Sequence, residues 1–162
     1  EESSEISSFV APVGGGGLAA GLTLYLSALG RDFQLIGCQH ARSPALQLSM
    51  ATGRAVTELP PVETLAGGLE GGIGEENFEI IRPHMSRVSL HEEEDIHRAL
   101  CWFLESHRFL VEPSSAVVLA ACLSGDVSLS GSVGVILTGR NVSLDNLKQI
   151  LKCCGETEAS TA

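Results

Sequence analysis

The stretch VAPVGGGGLAAGLTLYL, Val10 to Leu26, decides how the rest of the chain is read. A short apolar run ends in four consecutive glycines, Gly14 to Gly17. Leu18, Leu22, Leu26 and Leu29 then repeat at helical spacing until Gly30 stops the pattern. Each glycine adds backbone entropy that folding must remove, so four in a row imply a use for bare backbone. A strand, a glycine run and a helix start make an anion site. The first N–H groups of a helix lack partners within it, its dipole is positive there, and glycines keep Cβ atoms away from the guest. A phosphate is the guest this predicts; the alternative is a flexible turn that holds nothing.

Outward from this stretch, buried strands alternate with helices. Strands are predicted at Ser8 to Val13, Phe33 to Cys38 (FQLIGC), Arg87 to Leu90 and Val133 to Leu137 (VGVIL). Helices are predicted at Pro44 to Ala51, Glu76 to Met85, Glu92 to His107 and Ser114 to Leu123, and a last one is marked by Leu144, Leu147 and Leu151. Thr52 to Gly74, rich in Gly and Pro, reads as loop. Residues after Gly155 read as frayed. In Glu92 to His107 an apolar face of Ile96, Ala99, Leu100, Phe103 and Leu104 follows a first turn of acids, where the helix dipole favours them. The pattern implies an α/β layer with a mostly parallel sheet flanked by helices. The chain opens almost directly on a central-looking strand, which leads us to expect a missing segment upstream.

The 162 residues suffice for one domain with a core, and 44% hydrophobic against 19% charged residues argues for a globular chain. A net charge of -10 argues against nucleic acid and anionic membrane surfaces as partners. Leu18 to Leu29 is apolar but too short to span a membrane, and Thr23 and Ser27 interrupt it. The start EESSEISS is neither a signal nor a transit peptide, so a cytoplasmic setting is expected. The five cysteines, Cys38, Cys101, Cys122, Cys153 and Cys154, are read as buried or incidental thiols of a reducing compartment. The five histidines form no metal spacing; His91 and His97 read as surface residues, and HEEED as a charged first turn.

A Walker loop needs Lys and then Ser or Thr after its last glycine, and here Leu18 and Ala19 follow. A dinucleotide fingerprint can be drawn through Gly14, Gly16 and Ala19, with Arg42 to meet a 2′-phosphate. An NADP-binding half-domain therefore stands as an alternative. Four segments in order, PVGGGGLAAG, GGIGEENF, VEPSSAVVLAA and VILTGRN, point elsewhere. Together they resemble the C-terminal half of the pyridoxal-phosphate enzymes of the threonine dehydratase and serine racemase group, within the tryptophan synthase β-like fold. The resemblance runs from about Ser7 to Leu151, and residues 1–155 would be the C-terminal part of such a lyase domain, with 156–162 a frayed tail.

The resemblance implies roles by position. The amides of Gly14, Gly15, Gly16, Gly17 and Leu18 would hold the phosphate of pyridoxal 5′-phosphate. Thr138 matches the Ser or Cys that meets the pyridine nitrogen, Glu112 would lie near the ring, and Asn141 would support the loop. Taken alone, Glu112 also reads as a solvated loop acid and Thr138 as a strand end. A neutral hydroxyl at the ring nitrogen withdraws electrons less than a charged partner and suits β-elimination from a small hydroxy-amino acid, L-threonine or L-serine, to a 2-oxo acid and ammonia. The complete protein would be a homo-oligomer.

Departures matter as much. The family's Schiff-base lysine and its substrate-carboxylate loop lie upstream of the tetraglycine, so no catalytic residue is expected in this chain, and Lys148 and Lys152 read as solvated. The chain is expected to need the missing N-terminal half, to be inactive alone and to expose apolar surface. Acids that hold a divalent cation in several members are Gln39 and Ala45 here, so no metal is expected. The usual I-A-D-G is Leu65-Ala66-Gly67-Gly68, and a glycine of S-G-G-N is Arg140, a large cation near the expected ring end. A non-catalytic relative that keeps the fold for interaction is the remaining alternative.

Overall fold

The computed structural model describes residues 6–127 and 131–159. The acidic start at 1–5 and the end of the expected tail, 160–162, lie outside the described residues. Four strands, β1 (Ser8–Pro12), β2 (Gln34–His40), β3 (Met85–His91) and β4 (Val133–Val135), form one sheet in the order β3-β2-β1-β4. Every pairing is parallel, with Val10 opposite Ile36 on one side and Val135 on the other. Parallel neighbours need crossovers, which α1 (Gly17–Ala28), α2 (Ala45–Thr52), α3 (Glu75–Ile81), α4 (Glu93–His107) and α5 (Pro113–Leu123) supply, and α6 (Leu144–Ala159) follows the last strand.

Successive strand residues face opposite layers. Phe9, Val13 and Leu35 pack with α1, α2 and α3 around Leu46 and Phe78. Val10, Ile36 and Cys38 pack with α4, α5 and α6 around Leu100, Val117 and Ile150. The sheet is thus covered on both faces, and this is why its strands read as continuous apolar runs. Burial of each large aliphatic chain contributes about 1.5–3 kcal/mol. The α4 start carries a capping box between Glu92 and Asp95.

Five expectations change. The helix expected to reach Met85 ends at Ile81, because Pro83 cannot continue it; a 3-10 turn, Arg82–His84, leads straight into β3, which is longer than the Arg87 to Leu90 expected. β4 stops at Val135 rather than Leu137, although Ile136 N still donates to Val10 O at 2.9 Å. The last helix runs past Gly155 to Ala159. Cys101 and Cys154 are not thiols but form a disulfide joining α4 to α6. Cys38 and Cys122 are free, and burial pushes both thiols up in pKa.

Candidate functional site

The loop from β1 to α1 opens into a cleft of about 230 Å³, lined on one side by Gly14 to Leu18 and on another by Gly68 and Leu69. Glu112, Ser114 and Thr138 complete the wall. Residues separated by more than a hundred positions therefore meet at the C-terminal ends of β1 and β4, where a parallel sheet places its ligand crevice.

The four glycines divide into two pairs. A Cβ on Gly14 would stand 2.1 Å from the carbonyl oxygen of Gly68. Gly16 holds φ at 85°, and its Cβ would lie 3.0 Å from both Asn77 and Ile73. The chain's own packing requires these two glycines. Gly15 has nothing within 4 Å of an added Cβ, and Gly17 has only the Asn77 amide at 4.0 Å. Packing explains neither, and both border the cleft.

The loop is fastened from below. The Asn77 amide donates to Gly15 O at 2.8 Å, and Gly74 N donates to the same oxygen at 3.2 Å. Gly16 is the N-cap of α1 and has no side chain to cap with. Ala20 N makes the first intrahelical bond, to Gly16 O at 2.9 Å. The N–H groups of Gly17, Leu18 and Ala19 are left over at the positive end of the α1 dipole. The start of α5 borders the same cleft, with Glu112 at its N-cap and Pro113 at the first helical position. An acid suits that position electrostatically. Despite the chain's net charge, the cleft collects two positive helix ends.

The other end of the cleft is equally constrained. Thr138 N donates to Oγ of the fully buried Ser115 at 2.9 Å, and Glu112 N donates to Gly139 O at 3.0 Å. The Thr138 hydroxyl points at Glu112 Oε1 from 3.5 Å, the outer limit of a hydrogen bond. Ser114 Oγ accepts from Gly68 N at 2.9 Å and ties the 67–69 turn to α5.

Gly14 to Leu18, Glu112 and Thr138 are thus brought together as expected from sequence. Asn141 is exposed and does not line the cleft. Arg140 stacks on Phe109, 4.8 Å from the ring centre, and does not line the cleft either. Lys148 pairs with Asp145 at 2.9 Å. Sequence reasoning missed Asn77, Ser114, Ser115 and Gly68. Asn77 lies within GGIGEENF and the two serines follow VEP, so the motifs contain them, but nothing local marks their hydrogen bonds.

Two histidines differ from the surface reading: His91 is buried and His97 is largely covered; His40 is buried as well. Burial holds His91 below its ordinary pKa, although Asp126 and Asp95 pull the other way, and its Nε2 lies 2.8 Å from Ser89 Oγ. Glu93, expected in a solvated turn, faces inward. It borders a second cleft with Arg42, Thr64, His97 and Lys152. Arg42 therefore lines a cleft other than that of the tetraglycine. Gln39 is fully buried and satisfied, donating to Val13 O at 3.0 Å and accepting from Leu46 N at 2.8 Å. Among the described residues no cluster of three His, Cys, Asp or Glu side chains is arranged to hold a metal ion, and no helix is long and apolar enough to cross a membrane.

A sequence profile described as "Pyridoxal-phosphate dependent enzyme" matches residues 1–139. The chain is 33% identical over 154 residues to an L-threonine ammonia-lyase of Geobacter sulfurreducens, covering 94% of this chain and 38% of that protein. It is 32% identical over 148 residues to a beta-hydroxyaspartate dehydratase of Paracoccus denitrificans, covering 91% and 47%. The solved structure of maize serine racemase superposes with a TM-score of 0.81 at 29% identity, covering 93% of this chain and 49% of that one. The chain spans about half, or less, of the length of these relatives. The fold is the tryptophan synthase β-like one of pyridoxal-phosphate enzymes.

Proposed function

This chain belongs to the pyridoxal-phosphate dependent enzyme family, and from that premise we propose that it supplies half of a site for β-elimination from a small hydroxy-amino acid. L-Threonine or L-serine would give a 2-oxo acid and ammonia. Residues 1–155 belong to the C-terminal part of the lyase domain in this proposal, and a complementary N-terminal half and self-assembly complete the enzyme. The cytoplasm is the proposed setting; the Cys101–Cys154 bond is the one feature set against it, since a reducing compartment keeps thiols free.

One observation carries the proposal: the unexplained glycines, Gly15 and Gly17, face the same cleft as Thr138. Bare amides at a helix start fit a phosphate, and a hydroxyl at the far wall fits a heteroaromatic nitrogen. When bound, pyridoxal phosphate supplies the electron sink that makes the substrate's α-proton removable. The amides of Gly15, Gly17 and Leu18 hold the phosphate, and Gly14 and Gly16 shape the loop that presents them. Ser115 fixes the Thr138 backbone at the far wall, and the Thr138 hydroxyl would be the uncharged partner of the ring nitrogen. Such a partner favours prompt departure of the β-hydroxyl over long storage of charge on the ring. Glu112 stands beside that hydroxyl and sets its orientation, and Asn141 steadies the turn after it.

The names of the relatives support the substrate class, because threonine, serine and hydroxyaspartate all carry a hydroxyl on the carbon next to the α-carbon. Serine racemases among them keep racemisation as the second reading. No lysine lines the cleft, so the covalent anchor is assigned to the complementary half. The test measures ammonia release and D-serine formation with pyridoxal phosphate, by the chain alone and with a separately expressed N-terminal half of a relative. We expect neither product from the chain alone and ammonia from the pair. Ammonia from the chain alone would defeat the half-site, and D-serine without ammonia from the pair would make it a racemase.

A further inference from the structure

Among the described residues Glu93 is the most heavily engaged acid, and the proposed chemistry does not use it. Its Oε1 accepts from Leu65 N at 2.9 Å, and its Oε2 accepts from the Thr64 hydroxyl and lies 3.0 Å from Nε2 of the buried His40. His97 Nε2 stands 3.3 Å from Oε1, an ion-pair distance without hydrogen-bond alignment. Thr64 Oγ1 in turn accepts from Ala66 N at 2.9 Å. The side chain is 21% exposed. One carboxylate on the first turn of α4 therefore gathers β2, α4 and the 64–66 segment.

That segment leads within two residues to Gly68, which lines the cofactor cleft. Gly68 donates to Ser114 Oγ, and its oxygen sits where a Gly14 Cβ would be. Placement of Gly68 thus decides whether the tetraglycine loop fits against it. The segment between Thr52 and Gly67 holds no helix or strand, so side-chain anchors set its path. We propose that Glu93 is a positioning residue for the phosphate cleft, fixing the 64–69 segment so that Gly68 and Leu69 form its wall. The importance of that wall for a cofactor rests on the function proposed above; its dependence on Glu93 does not.

The test is amide hydrogen exchange on the full chain, together with pyridoxal phosphate affinity measured by fluorescence. Glu93→Gln keeps the size but puts an amide donor beside three donors. We expect exchange at Leu65, Ala66 and Gly68 to rise about 10-fold or more, with α5 and β1 unchanged. Pyridoxal phosphate affinity should fall several-fold, and Glu105→Gln, exposed on the same helix, should change neither. Should Glu93→Gln fail to fold, Thr64→Val, which removes one hydroxyl donor, carries the same local expectation. Unchanged exchange at Gly68, or an equal rise across the sheet and α5, overturns the proposal. A parent chain that binds no pyridoxal phosphate would count against the proposed function, while the exchange pattern still decides the role of Glu93.

Discussion

The Asn77 side-chain amide donates to the carbonyl oxygen of Gly15 at 2.8 Å, joining the start of α3 to the middle of the tetraglycine. This bond aims the loop without touching the ligand space. Asn77→Ala should therefore weaken pyridoxal phosphate binding about 10-fold, the scale of one lost polar contact, with a drop in melting temperature of only a few degrees. Fluorescence titration checks the first and thermal unfolding the second. Unchanged affinity would mean that the loop is held by Gly74 and packing alone.

The two pairs of glycines should separate stability from binding. Gly14→Ala and Gly16→Ala should destabilise the free chain by about 1–3 kcal/mol, through collision with Gly68 and strain at positive φ. Gly15→Ala and Gly17→Ala should leave the free chain's unfolding midpoint alone and lower phosphate affinity; Gly15→Asp should abolish it. Urea unfolding with and without pyridoxal phosphate distinguishes the pairs. If all four behave alike, the division is wrong.

At the other end of the cleft, Thr138→Val keeps shape and loses the hydroxyl, so ring seating should weaken in the completed enzyme. Thr138→Asp puts charge at the same place and should move product from ammonia toward racemised amino acid. Chiral chromatography with an ammonia assay reads the ratio. Parent-like turnover and product ratio in both variants would remove Thr138 as ring partner.

Glu93 gives a pH dependence with a definite sign. Partial burial raises its pKa, but the contact with His97 and the hydrogen bonds of Thr64, Leu65 and His40 outweigh it and bring the carboxyl from about 4.5 to about 2. A lowered folded value means that the stabilisation is complete above about 4.5 and fades as pH falls toward 2. The stability gap between parent and Glu93→Gln, from urea unfolding, should shrink from pH 6 to pH 3. A gap that stays constant would show that the carboxylate's charge is not what matters.

The alternation of strands and helices was legible because both faces of the sheet are covered, which leaves apolar runs such as FQLIGC and VGVIL undiluted. A cleft at the tetraglycine was legible because a glycine run between a strand and a helix leaves backbone bare, and the loop does line one. Glu93 was not: one acid among HEEED looks solvated, and only the fold brings Thr64 and His40 to it. The same holds for His91, buried at the last position of β3, a strand packed against α5. Pro83 was visible and misjudged, since the apolar residues before it outweighed a known helix breaker. Ser115 was hidden among small residues that read as packing.

The disulfide between Cys101 and Cys154 closes a covalent ring spanning 53 positions of sequence. Glu112, Ser115 and Thr138 lie inside that ring, whereas the tetraglycine, Gly68 and Asn77 lie outside it. One wall of the cleft is therefore tethered by the chain's own topology, and the opposite wall is held by weak bonds alone. On gentle heating the two should part unequally, the glycine side opening while the Thr138 side keeps its shape. A single cut by a protease within the ring would leave its pieces linked, so the Thr138 wall would survive a nick that the glycine wall would not.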